Sequence, residues 1–164
     1  MKEHTGVIFT TAIIGGWLAF STAFGASLTD KQQEAAGYMI GSYVDGIAMA
    51  AVCQLAVGGK NAPDARFVTA AKKYVAANNF ALRAVVSTLQ ASYANDERYR
   101  SYDWDVIIKR RVDERIQSLS VEQDSKTLSE FCRTKGERFI ASHNLTECCG
   151  GQLREVLGDW ERWF

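Results

Sequence analysis

The chain has 164 residues with 19 basic and 19 acidic side chains, so its formal charge is zero and no surplus of positive charge marks it for nucleic acid. A single proline, no Gly/Ser-rich linker and few alternating β-branched runs argue against a β-rich or multi-domain chain. The composition predicts an all-α protein, a bundle of about five to six helices.

The first residues predict export. Lys2 precedes an uncharged apolar run, Val7 to Phe24, which closes on the small residues Ala23-Phe24-Gly25-Ala26. A basic head, an apolar stretch and a small-residue cleavage site are the parts of a secretory signal peptide, here residues 1–26. The same run approaches the length of a membrane-spanning helix, so a retained anchor with membrane contact through residues 7–24 is the alternative. Either places the rest of the chain, 27–164, outside the cytoplasm as a periplasmic or secreted domain where disulfides persist.

From Ser27-Leu28-Thr29-Asp30 a side-chain oxygen caps a first helix that runs to about Leu55, with Ala36, Met39, Ile40, Tyr43, Ile47, Ala50 and Ala51 at three- and four-residue steps. Gly37, Gly41 and Gly46 lie inside it, each costing up to about 1 kcal/mol against alanine. Close packing against another backbone or a bulky side chain is the expected reason. Gly58-Gly59 ends the helix, and Pro63-Asp64 starts a second over about 64–77, with Phe67, Val68, Ala71, Tyr74 and Val75 inward. Asn78-Asn79 predicts a break before a third helix, about 80–94, carrying Leu82, Val85, Val86, Leu89 and Tyr93 inward. Residues 28–94 are thus expected to form a three-helix unit, and 95–164 a helical extension.

That extension begins in a charged stretch. Val106, Ile107, Val112, Ile116 and Leu119 predict a helix over about 104–119, on which the basic cluster Lys109-Arg110-Arg111 is flanked by Asp103, Asp105, Asp113 and Glu114 as a salt-bridged, solvated face. A helix over about 125–142 follows, with Gly136 as its weak point, and a last one over about 151–163.

Four cysteines, Cys53, Cys132, Cys148 and Cys149, lie beyond the leader. They allow three pairings, and sequence does not choose among them. Adjacent cysteines rarely bond to each other, so Cys148 and Cys149 are expected to reach Cys53 and Cys132, each link contributing about 2–4 kcal/mol. Their spacing does not suit a zinc site. No catalytic or cofactor motif is present, and His143 is the one histidine past the leader. Asp45, with no histidine or second carboxylate nearby in sequence, reads as a hydrogen-bonding residue that fixes helix packing, not as an acid–base catalyst.

These readings point to a non-enzymatic protein that uses no cofactor and works by binding a protein partner or a second copy of itself. The candidate contact residues lie in the loops 56–63 and 94–104 and at the C-terminus: Lys60, Asn61, Tyr102, Trp104, Trp160, Trp163 and Phe164.

The stretch Gly37-Tyr38-Met39-Ile40-Gly41-Ser42-Tyr43-Val44-Asp45-Gly46 has the form G-Y-x-x-G-x-x-x-D-G and is followed by Cys53 and a Pro63-led helix. In this order, over about 28–94, the chain resembles the Rap1a/Tai family of small helical periplasmic proteins. The resemblance implies an immunity protein that blocks a cell-wall amidase effector. The chain departs from the family where Glu34-Ala35-Ala36 replaces a cysteine before the Gly-Tyr pair, and where Ala94-Asn95 replaces a proline–cysteine. On that comparison Cys53 needs a new partner, which the C-terminal cysteines supply. An accessory subunit of an envelope assembly, held by an uncleaved N-terminal helix, is the alternative function.

Overall fold

A computed structural model describes residues 28–122 and 124–157. The apolar run 7–24 and the aromatic residues Trp160, Trp163 and Phe164 lie outside the described residues.

The protein is all-helical and carries two disulfides. Helix α1, Asp30–Gly58, starts in a reciprocal cap: Thr29 Oγ1 accepts from the Gln32 amide, and Gln32 Oε1 accepts from the Thr29 amide at 3.0 Å. It ends at Gly59, whose φ of 83° only glycine adopts without strain. The return is tight. Asp64 N–H donates to Gln54 O at 3.1 Å, and a Cβ on Gly58 would collide with the Pro63–Asp64 backbone. Asp64 then caps α2, accepting from the Arg66 amide at 2.9 Å while Arg66 closes a second bond onto the same carboxylate.

Helix α2 runs unbroken from Ala65 to Tyr93, so the expected break at Asn78-Asn79 does not occur. Asn78 is fully buried, and its amide donates back to Tyr74 O at 2.8 Å, so the polar side chain is satisfied within the helix that it was expected to end. Residues 28–94 form a long two-helix hairpin in place of three helices. Val75 faces solvent at 41% exposure instead of lying on the inner face.

Helix α3, Trp104–Glu122, is entered through Asp103, whose carboxylate accepts from the amides of Asp105 and Val106. Its buried residues are Ile108 and Leu119, whereas Val106 is 61% exposed. The charged face is laced by exposed pairs, Lys109–Asp113, Arg110–Glu114 and Arg111–Glu114.

The segment 125–142 is one path in three parts: α4, Ser125–Phe131; a π-helical turn, Cys132–Gly136; and α5, Glu137–Ser142. The register changes where the chain crosses the core: a Cβ on Gly136 would stand 2.9 Å from the Phe67 ring and 3.1 Å from Cys53 Sγ. A single turn α6, Leu145–Cys148, and α7, Gly150–Leu157, complete the described chain. Counting 125–142 as one bent helix, the described residues hold six helices.

All the other helices pack on α1. Its N-terminal half (Ala35, Ala36, Met39, Val44) meets Ala81 to Leu89 of α2, Ile108 of α3, and Leu145, Cys149 and Val156. Its C-terminal half (Ala48 to Cys53) meets Phe67 and Tyr74 of α2, Leu119 of α3, and Leu128, Cys132 and Ile140. The pairing makes α2 antiparallel and α3 parallel to α1. It also explains why α1, 29 residues with a window of mean hydropathy 1.5, is apolar enough to cross a membrane by length and composition, since it is the axis of the bundle.

The disulfides differ from the expected pairing. Cys53 bonds Cys132, with Cα atoms 5.3 Å apart, and Cys148 bonds Cys149. Cys53 and Cys132 are brought together in the second core cluster, at the π turn, whereas Cys149 belongs to the first cluster at the other end of α1. The C-terminal pair has no distant sulfur within reach.

Candidate functional site

The G-Y-x-x-G-x-x-x-D-G motif lies on α1 and separates into two faces. Gly46 is the crowded one. A Cβ there would stand 2.8 Å from Cε2 of Tyr74 and closer still to its Cζ and hydroxyl. The absent side chain lets the Tyr74 ring lie on α1 and reach across: its hydroxyl is 3.1 Å from Ser42 O and 2.9 Å from His143 O. One turn on, Asn78 Oδ1 accepts from the Leu145 amide at 2.6 Å. Tyr74 and Asn78 thus tie the α5–α6 turn to the helical hairpin. Burial pushes the Tyr74 phenol well above its usual range, and Tyr43 and Asp45 nearby add to the rise.

Gly37 and Gly41 face the other way. Among the described residues neither has a neighbouring atom within 4 Å of where a Cβ would stand, so the close approach expected at these two glycines is not made by them. They line a groove of about 580 Å³ between α1 and α3, with Ile40 and Val44 on one side and Trp104, Ile107, Arg111 and Arg115 on the other. Trp104 also belongs to an aromatic chain running through the 94–104 loop. Tyr93 and Tyr99 centroids lie 5.0 Å apart, Tyr99 and Tyr102 5.1 Å, and Tyr102 and Trp104 6.3 Å. Arg98 lies over the Tyr99 ring, held by Asp96 at 2.9 Å, and lowers the Asp96 carboxyl below its usual range. Tyr102 is exposed at 43%.

Asp45 is half-buried and accepts from Arg115 Nε at 2.8 Å, joining α1 to α3 beside the groove. Its partner is this guanidinium, whereas the His143 ring is stacked on Phe139, with Nδ1 2.8 Å from that residue's carbonyl oxygen. Among the described residues no group of three or more His, Cys, Asp or Glu side chains is placed to hold a metal ion.

The structure therefore lines one groove with Gly37, Gly41 and Trp104, while Asp45 holds the lining Arg115 and Tyr102 lies against Trp104. Lys60 and Asn61 stand apart, exposed in the turn between α1 and α2. Arg115, Tyr74 and Asn78 were not anticipated as site-shaping residues. Arg115 sits in a run of alternating charges that does not mark one arginine as different. Tyr74 and Asn78 carried a signal, their four-residue spacing on one helix face.

Comparison of the chain with protein-family models, curated proteins and solved structures finds no match. The two disulfides and the apolar N-terminal run, suited to a signal or an anchor, point to an oxidising, exported setting.

Proposed function

We propose that the chain is an exported protein-binding module, working by occlusion and not by catalysis, and that the α1–α3 groove receives a segment of its partner. The observation that carries this reading is the outward aim of Gly37 and Gly41. Two glycines in a helix interior cost up to about 1 kcal/mol each, and no side chain among the described residues uses the space they leave. A groove floored by bare backbone and lined by a tryptophan, against which an exposed tyrosine lies, has the composition of a partner site. The resemblance of residues 28–94 to Rap1a/Tai immunity proteins supports a cell-wall amidase as the partner class.

Filling the groove tests the proposal. The Gly37→Leu/Gly41→Leu variant keeps its helical content, loses stoichiometric binding to a cell-wall amidase encoded beside it, and no longer protects cells that express that amidase. Undiminished binding and protection by the filled variant would refute the groove as the contact surface. Absence of any complex for the unsubstituted protein would refute the immunity reading itself. An anchored accessory subunit of an envelope assembly is the second reading, favoured by the uncharged run 7–24; intact mass of the exported protein separates the two, since an anchor retains residues 1–26.

A further inference from the structure

The two disulfides of this chain do different work. Cys53–Cys132 joins residues 79 apart, so it restricts the unfolded chain strongly, and both residues are buried, at 0% and 2% exposure. Phe67 and Gly136 close over it. Cys148–Cys149 joins neighbours in sequence and closes no loop of chain beyond the peptide between them. Loop-closure entropy, which accounts for the first bond, gives no reason for the second. The second bond is also placed differently: Cys148 is exposed at the end of α6, while Cys149 is fully buried beside Leu28, Ala36 and Val156. Exposure is what separates labile disulfides from structural ones.

We propose that Cys148–Cys149 is a thiol–disulfide exchange site, entered at Cys148, through which the folded protein reacts with a dithiol, either a small molecule or a redox protein. A thiolate of the dithiol attacks Cys148 Sγ. The bond to Cys149 breaks, and its electron pair leaves on Cys149 Sγ, which takes the proton of the reductant's second thiol. A buried sulfur surrounded by apolar side chains favours the thiol over the thiolate, which directs the proton there. The second sulfur of the reductant, now a thiolate, attacks its own first sulfur and releases Cys148. The pair gains two electrons and one proton, carried by Cys149, and the released Cys148 thiolate takes its proton from water; the dithiol, which entered as a monothiolate, loses two electrons and its remaining proton and becomes a disulfide. Cys149 lies at the junction of α6 and α7, with non-helical φ −128° and ψ 18°, so the state of the pair acts first on the helix that covers the N-terminal half of α1.

Graded dithiothreitol under native conditions, followed by alkylation and peptide mapping, tests the assignment on the unsubstituted protein. Cys148 and Cys149 become alkylated at a roughly hundredfold lower reductant concentration than Cys53 and Cys132, with the helical circular dichroism unchanged. Reduction of both disulfides together, or of Cys53–Cys132 first, overturns the proposal. The entry point is tested with oxidised glutathione. Cys149→Ser leaves Cys148 to form a mixed disulfide, whereas Cys148→Ser leaves Cys149 unmodified in the folded protein. Equal modification of the two variants overturns entry at Cys148.

Discussion

Replacing Asn78 by alanine removes the polar link between α2 and the α5–α6 turn. Its Oδ1 accepts from the Leu145 amide at 2.6 Å, and both residues are 0% exposed. The variant leaves that amide buried without a partner, which costs about 1–3 kcal/mol. The vacated volume adds roughly 1 kcal/mol. Better helix propensity for alanine offsets roughly half of one. Tyr74 O loses the side-chain donor but keeps the main-chain bond of its helix, so the net loss is about 1.5–3.5 kcal/mol, a large part of the stability of an ordinary domain. Urea titration followed at the helical circular dichroism band reads this as a fall in midpoint of about 1–2 M for a chain of this size. Asn78→Leu separates the two contributions: it refills the space but still strands the amide, so it recovers the cavity part and no more. A midpoint for Asn78→Ala within about 0.3 M of the parent would refute the reasoning, because it would mean the Leu145 amide finds water or another acceptor at no cost.

The two kinds of glycine in the motif respond in opposite directions: Gly46→Ala drives a Cβ into the Tyr74 ring and lowers stability by about 2–3 kcal/mol, whereas Gly41→Ala enters open space and raises it by up to about 1 kcal/mol. Paired thermal melts in which Gly46→Ala is the more stable would contradict the assignment. The phenol of Tyr74 is held above its unfolded value by burial, so the folded state keeps its proton longer. Its contribution is complete below pH about 10 and declines by up to about 1.4 kcal/mol per pH unit above that, as the unfolded state ionises first. Tyr74→Phe flattens this alkaline limb in denaturation measured between neutral and alkaline pH. For Asp45–Arg115, with both side chains more than a third exposed, a double-mutant cycle yields a coupling of about 0.2–1 kcal/mol, and Asp45→Asn leaves protection of amidase-expressing cells intact. Loss of protection with an unchanged fold would make Asp45 a functional group and not a brace.

Helix α1 was legible because its punctuation is local: Thr29 and Gln32 cap it, Gly59 stops it, and both devices act within a few residues of themselves. The inner face of the second half of α2, Leu82 to Tyr93, was legible from spacing. What was not legible depends on residues far away in sequence. Asn78-Asn79 has the composition of a break, and in isolation a buried asparagine is costly in a helix. Here Asn78 has a partner 67 residues on, the Leu145 amide, and the need of that amide keeps the helix continuous. The inward residues of α3 shifted for a related reason. Val106 and Ile108, two residues apart, lie on opposite sides of α3, and the position of α1 beside α3 selects the side that carries Ile108.

The cysteines show the same limit from another side. The expectation that Cys148 and Cys149 reach separate distant partners treats disulfides as staples, worth having in proportion to the chain they close. Once Cys53 and Cys132 meet at the π turn, the C-terminal pair sits at the opposite end of α1, and no staple is left for it to form. A bond between adjacent residues then adds almost nothing to the unfolded-state term. The stability of the protein is therefore expected to fall substantially in Cys53→Ala/Cys132→Ala and little in Cys148→Ala/Cys149→Ala. The same contrast separates a sulfur pair kept for holding the fold from one kept for its chemistry: only the second is free to open and close while the bundle around α1 stays intact.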